Sequence, residues 1–201
     1  MTRLPRAERE RQTLAAARTL FAERGFAAVT MDEVAARVGV TKPLLYAYFG
    51  NKERLYLACM EPAGEALVST VAAAVRETAS PADALRAGVH AFFAFVDEDR
   101  SAWRVLFDDT LPAGAEPARR AAEQRDRLVA LVAAAQLARV PEARRAAVRA
   151  PTEALSAALL GAAEALARWW LRSGDDMPAA DAAELLVRTL EPGLRAPVRA
   201  G

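Results

Sequence analysis

The chain has 201 residues, enough for one large domain or a small one beside a medium one, and 53% of it is hydrophobic. A single cysteine, Cys59, excludes an intrachain disulfide, and the apolar run 154–167 is too short and too interrupted by Glu164 to span a bilayer. Lys+Arg 27 against Asp+Glu 26 leaves a net charge of only +1, but residues 1–60 hold ten basic and six acidic residues while 61–201 hold seventeen and twenty, a mildly basic head on a mildly acidic body. Alanine dominates the apolar fraction and β-branched alternation is scarce, which favours helix over strand. The N-terminal MTRLPRAERERQ has no apolar stretch behind its charges, so it does not read as a signal peptide. The expectation is a soluble protein of a reducing compartment, the cytoplasm, with no membrane contact.

The spacing of Leu14, Ala17, Leu20 and Phe21 predicts a helix over 7–24 that Gly25 ends. Thr30-Met31-Asp32-Glu33 is a capping box opening a short helix, with Val34, Ala35 and Val38 inward and Gly39 as the stop. Thr41 caps a third helix whose first turn takes Pro43 without loss, with Leu45 and Phe49 on the buried side. A long helix is expected over 51–78, bent at Pro62. Ser80-Pro81-Ala82-Asp83 starts the next, to about Asp97, and helices fit 100–109, 117–138, 142–149, 152–172 and 178–192. Pro112, Gly114, Pro117, Pro141, Pro151, Gly174 and Pro178 punctuate them, and the tail EPGLRAPVRAG reads as frayed.

Residues 30–49 therefore have helix–turn–helix spacing, with glycine in the turn. Both lysines of the chain, Lys42 and Lys52, and all three tyrosines fall within 41–56. A helix presented this way can enter a major groove with its first residues near base edges. Lysine ammonium and tyrosine hydroxyl groups can meet phosphates from either side. The same pattern also fits a helical hairpin with solvated lysines and partly buried rings, and an all-helical interaction module without DNA is the rival reading. Enzyme chemistry has no foothold. One histidine, one cysteine and no phosphate loop leave no nucleophile–base pair, and no ligand spacing suggests a metal. The pairs Asp108/Asp109 and Asp175/Asp176 read as solvated loop or helix-end carboxylates.

LAAARTLFAERGFAAVTMDEVAARVGVTKPLLYAYFGNKERLYLACME, residues 14–61, resembles the DNA-binding domain of tetracycline-repressor-like (TetR family) transcription regulators. The likeness rests on Leu20-Phe21, Gly25-Phe26, Thr30, Val34-Ala35, Val38-Gly39-Val40, Lys42, Leu45-Tyr46, Tyr48-Phe49, Lys52-Glu53 and Leu55. It covers about a quarter of the chain. It implies an all-α protein: a three-helix helix-turn-helix DNA-binding domain over 1–50 and a larger helical ligand-binding and dimerisation domain over 51–201. It implies a ligand-responsive regulator, a repressor released from a palindromic operator by a small apolar effector, with no cofactor. Its base-proximal positions fall on Thr41, Lys42, Pro43 and Leu44, and its phosphate-contacting positions on Thr30, Tyr46, Tyr48 and Lys52. Pro43 departs from the pattern, because it removes a backbone N–H and leaves readout to apolar contacts and Lys42.

In the second half, aromatic residues at helical spacing fit a core. By resemblance, some line a pocket, and the residues assigned to it are His90, Phe93, Trp103, Phe107 and Trp169. For His90 a hydrogen-bonded or surface role is the first reading and a polar pocket contact the second. Cys59 reads as a small buried hydrophobe. The helices over 152–172 and 178–192 carry leucines among small residues. Leu155, Leu159, Ala162, Ala163, Leu166, Trp170, Leu186 and Leu190 are the expected homodimer seam, with ordinary intrachain packing as the alternative.

Overall fold

The computed structural model describes residues 5–78, 80–173 and 177–195. Among these the chain is helical, in the order α1 (Arg6–Ala28), α2 (Met31–Val38), α3 (Lys42–Phe49), α4 (Lys52–Arg76), α5 (Pro81–Glu98), α6 (Arg100–Leu106), α7 (Glu116–Leu137), α8 (Glu142–Ser173) and α9 (Ala179–Arg195). The all-α class read from the sequence is the class observed. None of the described helices is long and apolar enough to cross a membrane. The Asp175/Asp176 pair, Gly174 and the end of the tail lie outside the described residues.

The chain forms two compact units. The first comprises residues 1–65 and 99–122, and so contains α1, α2, α3, the start of α4, and α6. Its core is an aromatic cluster. Tyr56 meets Phe21 edge-on at 4.9 Å and Phe26 at 5.2 Å between ring centroids. Around it Leu20, Val34, Leu45, Leu55 and Met60 are buried. The start of α1 buries Thr13 where Leu14 was expected, since the Thr13 hydroxyl donates to the Arg9 carbonyl and needs no outside partner. Cys59 is buried, and burial pushes its thiol up to about 12, as a small hydrophobe's position would.

The second unit comprises residues 66–98 and 123–201. Here α5 packs along α9, and α8 packs against both. Phe93 and Trp170 meet edge-on at 6.2 Å, and the Trp170 indole N–H donates to the Met177 carbonyl at 2.7 Å. Glu164 is buried on α8 and receives Arg125 at 3.1 Å and Arg168 at 3.5 Å.

One proline reading was wrong. Pro151 does not separate two helices, because α8 runs from Glu142 to Ser173 through it. Proline removes one backbone bond, and the alanine-rich flanks supply strong helix formers on both sides. Thr152 and Ser156 donate their hydroxyls to the Val148 and Thr152 carbonyls, each at 2.8 Å, so both side chains are satisfied within the helix just after Pro151. Pro62 lies inside α4, which runs from Lys52 to Arg76 as the one long helix expected there.

Candidate nucleic-acid interface

The helix–turn–helix is built by its caps. Thr30 closes the capping box in full: its hydroxyl accepts the Glu33 amide at 3.2 Å, and the Glu33 carboxylate accepts the Thr30 amide at 2.9 Å. Arg24 of α1 pairs with the same carboxylate. The Arg24 hydrogen bond first, and the Thr30 backbone bond second, lower the Glu33 pKa to about 2. Gly39 ends α2 in the left-handed conformation, φ 71° and ψ 35°, and its amide returns to the Ala35 and Ala36 carbonyls. The chain then enters α3 at Thr41, whose side chain makes no capping bond, contrary to the capping role read from the sequence. The Thr41 position is exposed and its hydroxyl is not committed to the helix.

Successive residues of an α-helix turn by about 100°, so the buried pair Leu45 and Phe49 fixes every other direction on α3. Pro43 and Ala47 form the outer crest. Lys42 and Tyr46 lie on one flank, Leu44 and Tyr48 on the other. Exposure agrees: Lys42, Pro43, Tyr46 and Ala47 are exposed, while Leu44 and Tyr48 are half-buried. Tyr46 is 41% exposed, an unusual position for a large ring. Lys42 pairs with Asp32 of α2 at 2.9 Å, which raises its pKa and points the ammonium along the α2 side of the turn.

Two residues expected at phosphates have protein partners already. The Thr30 hydroxyl donates to Glu33 at 3.0 Å within the cap. The Lys52 ammonium sits 4.3 Å from the Phe26 ring centroid and 3.4 Å from the Ala27 carbonyl. Partial burial lowers the Lys52 pKa, opposed by Glu33 and Asp108 nearby. An ammonium has three donors, so this arrangement aims Lys52 while leaving it able to bind an anion.

Sequence reasoning missed the group that holds α1 to α6. Gly25 breaks α1 with φ 75° and ψ 164°. The freed Phe26 amide donates to the Asp108 carboxylate at 2.7 Å, and the Ala27 amide donates to the Thr110 hydroxyl at 3.2 Å. Tyr56, fully buried, donates to the Val105 carbonyl at 2.6 Å and lies 3.2 Å from the same Asp108 carboxylate. Asp108 is thus a structural acceptor and not the solvated carboxylate the sequence suggested. Gly25 followed by a solitary aromatic was the available signal, but its partner lies 82 residues away.

The residues expected at an effector pocket and a dimer seam fall in several different places. The second unit has a half-open apolar cavity of about 40 Å³ lined by residues including Val71, Val89, Phe92, Leu128, Leu160 and Ala163. His90, Phe93, Trp103, Phe107 and Trp169 do not line it. Trp103 and Phe107 are stacked 5.4 Å apart, buried in the first unit. His90 lies 3.5 Å from Glu184, which Arg86 also engages, beside an open surface groove. Phe93 belongs to the core with Trp170. Trp169 is 46% exposed on the outer face of α8. Of the expected seam, Leu159, Ala163, Trp170 and Leu186 are buried within the second unit itself and have no surface to offer a partner. Leu155, Ala162, Leu166 and Leu190 keep some, and Leu155, Trp169 and Leu185, at 41%, 46% and 48%, are the large apolar side chains exposed there. The shift from Trp170 to Trp169 turns the α8 stripe by about one residue, since helical spacing alone does not say which side faces inward.

Helices of this order, with a capped helix–turn–helix early in the chain and longer helices after it, define an all-α protein of helix–turn–helix type. The description "Bacterial regulatory proteins, tetR family" matches residues 14–59, and "Tetracyclin repressor-like, C-terminal domain" matches residues 81–191. A TetR-like transcriptional regulator from Rhodococcus sp. RHA1 is 34% identical, with 97% of this chain and 100% of that one covered and a TM-score of 0.77. The HTH-type transcriptional activator FasR of Mycolicibacterium smegmatis is 46% identical over 107 residues, 53% of this chain and 49% of that protein. The chain spans about half the length of the curated relatives it matches. AibR, solved with isovaleryl coenzyme A and operator DNA, shares the fold at 22% identity and a TM-score of 0.68, covering 92% of this chain and 98% of that one. The chain belongs to the tetR family of bacterial regulatory proteins, a family of helix-turn-helix transcriptional regulators and not of enzymes.

Proposed function

We propose that the protein is a cytoplasmic homodimer that binds a palindromic operator through α3 and is released by a small apolar effector. The observation that carries this is the outer face of α3, where Pro43 and Ala47 form a smooth crest between flanks bearing Lys42, Tyr46 and Tyr48. An apolar crest suits thymine methyls in a major groove, and polar flanks suit the two phosphate strands beside it. Thr41, Lys42, Pro43 and Leu44 are the base-proximal residues in this reading. Thr30, Tyr46, Tyr48 and Lys52 serve the backbone. The segments 1–50 and 51–201 act as the DNA-binding and the ligand-binding and dimerisation domains.

The dimer would form on the stripe Leu155, Ala162, Leu166 and Trp169 of α8 with Leu185 of α9, where exposed large apolar side chains otherwise have no reason to be. The effector would enter the apolar cavity of the second unit. Its volume of about 40 Å³ is well below the roughly 300 Å³ of a typical ligand pocket, so binding must push helices apart. That displacement is the source of coupling: the effector favours a conformer that the operator does not, and the operator must weaken effector binding by the same factor.

A second reading, activation in place of repression, is favoured by FasR, whose described role is activation. Both share the DNA step. Selection of bound fragments from a random DNA pool tests it: a motif with two-fold half-sites about one helical turn or more apart is expected. A single unpaired half-site as the full-affinity target, or no enriched motif, would sink it. Placing the recovered site upstream of a reporter then separates repression from activation.

A further inference from the structure

The first turn of α1 breaks a rule of helix design. Arg6 is its first residue, at the end where unpaired N–H groups favour an anion and disfavour a cation. The acidic residue of that turn, Glu8, does not neutralise it, because Glu8 is engaged by Arg11 and Gln12. Arg6 instead lies over the Tyr48 ring, its guanidinium carbon 5.2 Å from the centroid, and among the described residues it makes no ion pair. The Tyr48 ring is itself set by the core, edge-on to buried Phe49 at 6.2 Å and 86°. A core aromatic therefore orients a surface aromatic, which orients an exposed cation. Local rules broken without a structural return mark functional positions.

We propose that Arg6, held by the Tyr48 ring, contacts a DNA phosphate on the flank of α3 opposite Lys42 and Tyr46. This rests on the DNA-binding reading above and adds a residue to it. A helix lying in a major groove has a phosphate strand on each side. One flank of α3 carries a tyrosine and a lysine. The other carries a tyrosine and, on its own helix, only Leu44. Arg6 supplies the missing cation from α1, so both strands meet the same pairing of ring and charge. The guanidinium fork suits a phosphate, and stacking restricts it before binding, which lowers the ordering cost on contact. Tyr48 then serves the backbone through its ring, which holds Arg6, as well as through its hydroxyl.

The test uses the full chain and the operator recovered by selection, with affinity measured across a salt series. Arg6→Ala should weaken binding roughly 3- to 10-fold on operator and random DNA alike. It should also reduce the magnitude of the log–log salt slope by about 1 for each half-site contacted. Its melting temperature should stay level or rise, because a cation leaves a helix N-terminus; a purely structural arginine would lower it. Arg6→Lys should keep the slope and recover part of the affinity. Tyr48→Leu should reduce the salt slope as Arg6→Ala does, and adding Arg6→Ala to it should reduce the slope little further. An unchanged salt slope in Arg6→Ala overturns the proposal, as does a Tyr48→Leu protein in which Arg6→Ala still takes its full effect. A wild-type protein with no salt-dependent DNA binding fails the underlying DNA reading instead, so the two failures are distinct.

Discussion

The two compact units solve the problem of order by different means. In the first, short helices are placed by backbone groups: the Thr30–Glu33 box, the left-handed Gly39, the Gly25 break, and the Asp108 and Thr110 acceptors that receive the amides beyond it. In the second, long alanine-rich helices are placed by side chains matched across them: Arg86 with Glu184, Arg125 and Arg168 with Glu164, Phe93 with Trp170. A unit fixed by its backbone has few permitted arrangements, which suits a surface that must fit one groove. A unit fixed by side chains along long helices can slide or part, which suits the ligand response proposed for it. The contrast predicts that the same change does opposite things in the two.

Glycine gives the largest effect. Gly25 has φ 75° and ψ 164°, a region only glycine occupies readily, and an added Cβ would lie 2.6 Å from the Thr110 hydroxyl. Gly25→Ala should cost about 3–5 kcal/mol, combining backbone strain with that clash, and should abolish operator binding along with lowering the melting temperature. Adding Thr110→Gly should recover the clash portion while leaving the strain and costing the Ala27 amide its acceptor. Gly161 of α8 is the opposite case, since a Cβ there meets nothing within 4 Å and φ is ordinary. Gly161→Ala should stabilise by about 0.5–1 kcal/mol through helix propensity alone. Equal destabilisation by the two substitutions in thermal melts would erase the distinction drawn here.

Removal of a charged partner comes next. Glu164→Ala leaves Arg125 and Arg168 facing a site built for a carboxylate. Each arginine retains about a third of its side-chain exposure, so water makes up part of the loss, and about 2–3 kcal/mol is expected in place of the full penalty of a buried pair. Urea titration measures it. The first unit's counterpart is Tyr56→Phe, which removes a buried hydroxyl from the Val105 carbonyl and the Asp108 carboxylate while keeping the ring against Phe21 and Phe26. The expected loss is about 1–2 kcal/mol, and amide exchange at Phe26 should accelerate, because Asp108 then loses one of the groups that fix it. Unaltered exchange there would separate Tyr56 from the Asp108 clasp.

These cases also show what the sequence discloses and what it conceals. Thr30-Met31-Asp32-Glu33 and Gly39 are local signals: every partner lies within a few residues, so spacing alone locates α2, and α3 follows from Leu45 and Phe49. The outward-facing residues of α3 are legible for that reason. Pro151 misled because its effect depends on how good its neighbours are as helix formers, and a proline within strong flanks can be absorbed. Asp108 was unreadable because its partners, Phe26 and Tyr56, are distant in the chain. The α8 face was misjudged by a residue because alanine and leucine recur around much of the helix. With so little polarity contrast, only the packed structure shows that Trp170 is inside and Trp169 outside. Trp103 and Phe107 were assigned to a pocket on spacing that a core satisfies equally.

The smallest effect is a titration, and it probes the backbone-placed unit without disturbing it. Glu33 stands at about 2 instead of the model-compound value of 4.5, first because Arg24 hydrogen-bonds its carboxylate and second because the Thr30 amide does. A depressed carboxyl pKa contributes stability that is fully present above the unfolded value and is lost as pH falls through the folded one. The cap of α2 should therefore persist through the range near pH 4 where free carboxylates protonate, and open only as pH approaches about 2. A carbon-13 titration of the Glu33 carboxyl should show a midpoint near 2, and Arg24→Gln should move it up toward the ordinary value. Added salt should move it little, because hydrogen bonds outrank the through-space charge term among its causes, and contact bonds are screened less than distant charges. A wild-type midpoint near 4.5 would mean that the Arg24–Thr30–Glu33 group does not persist in solution, and that α2 is held by its buried face, Met31, Val34 and Ala35, more than by its cap.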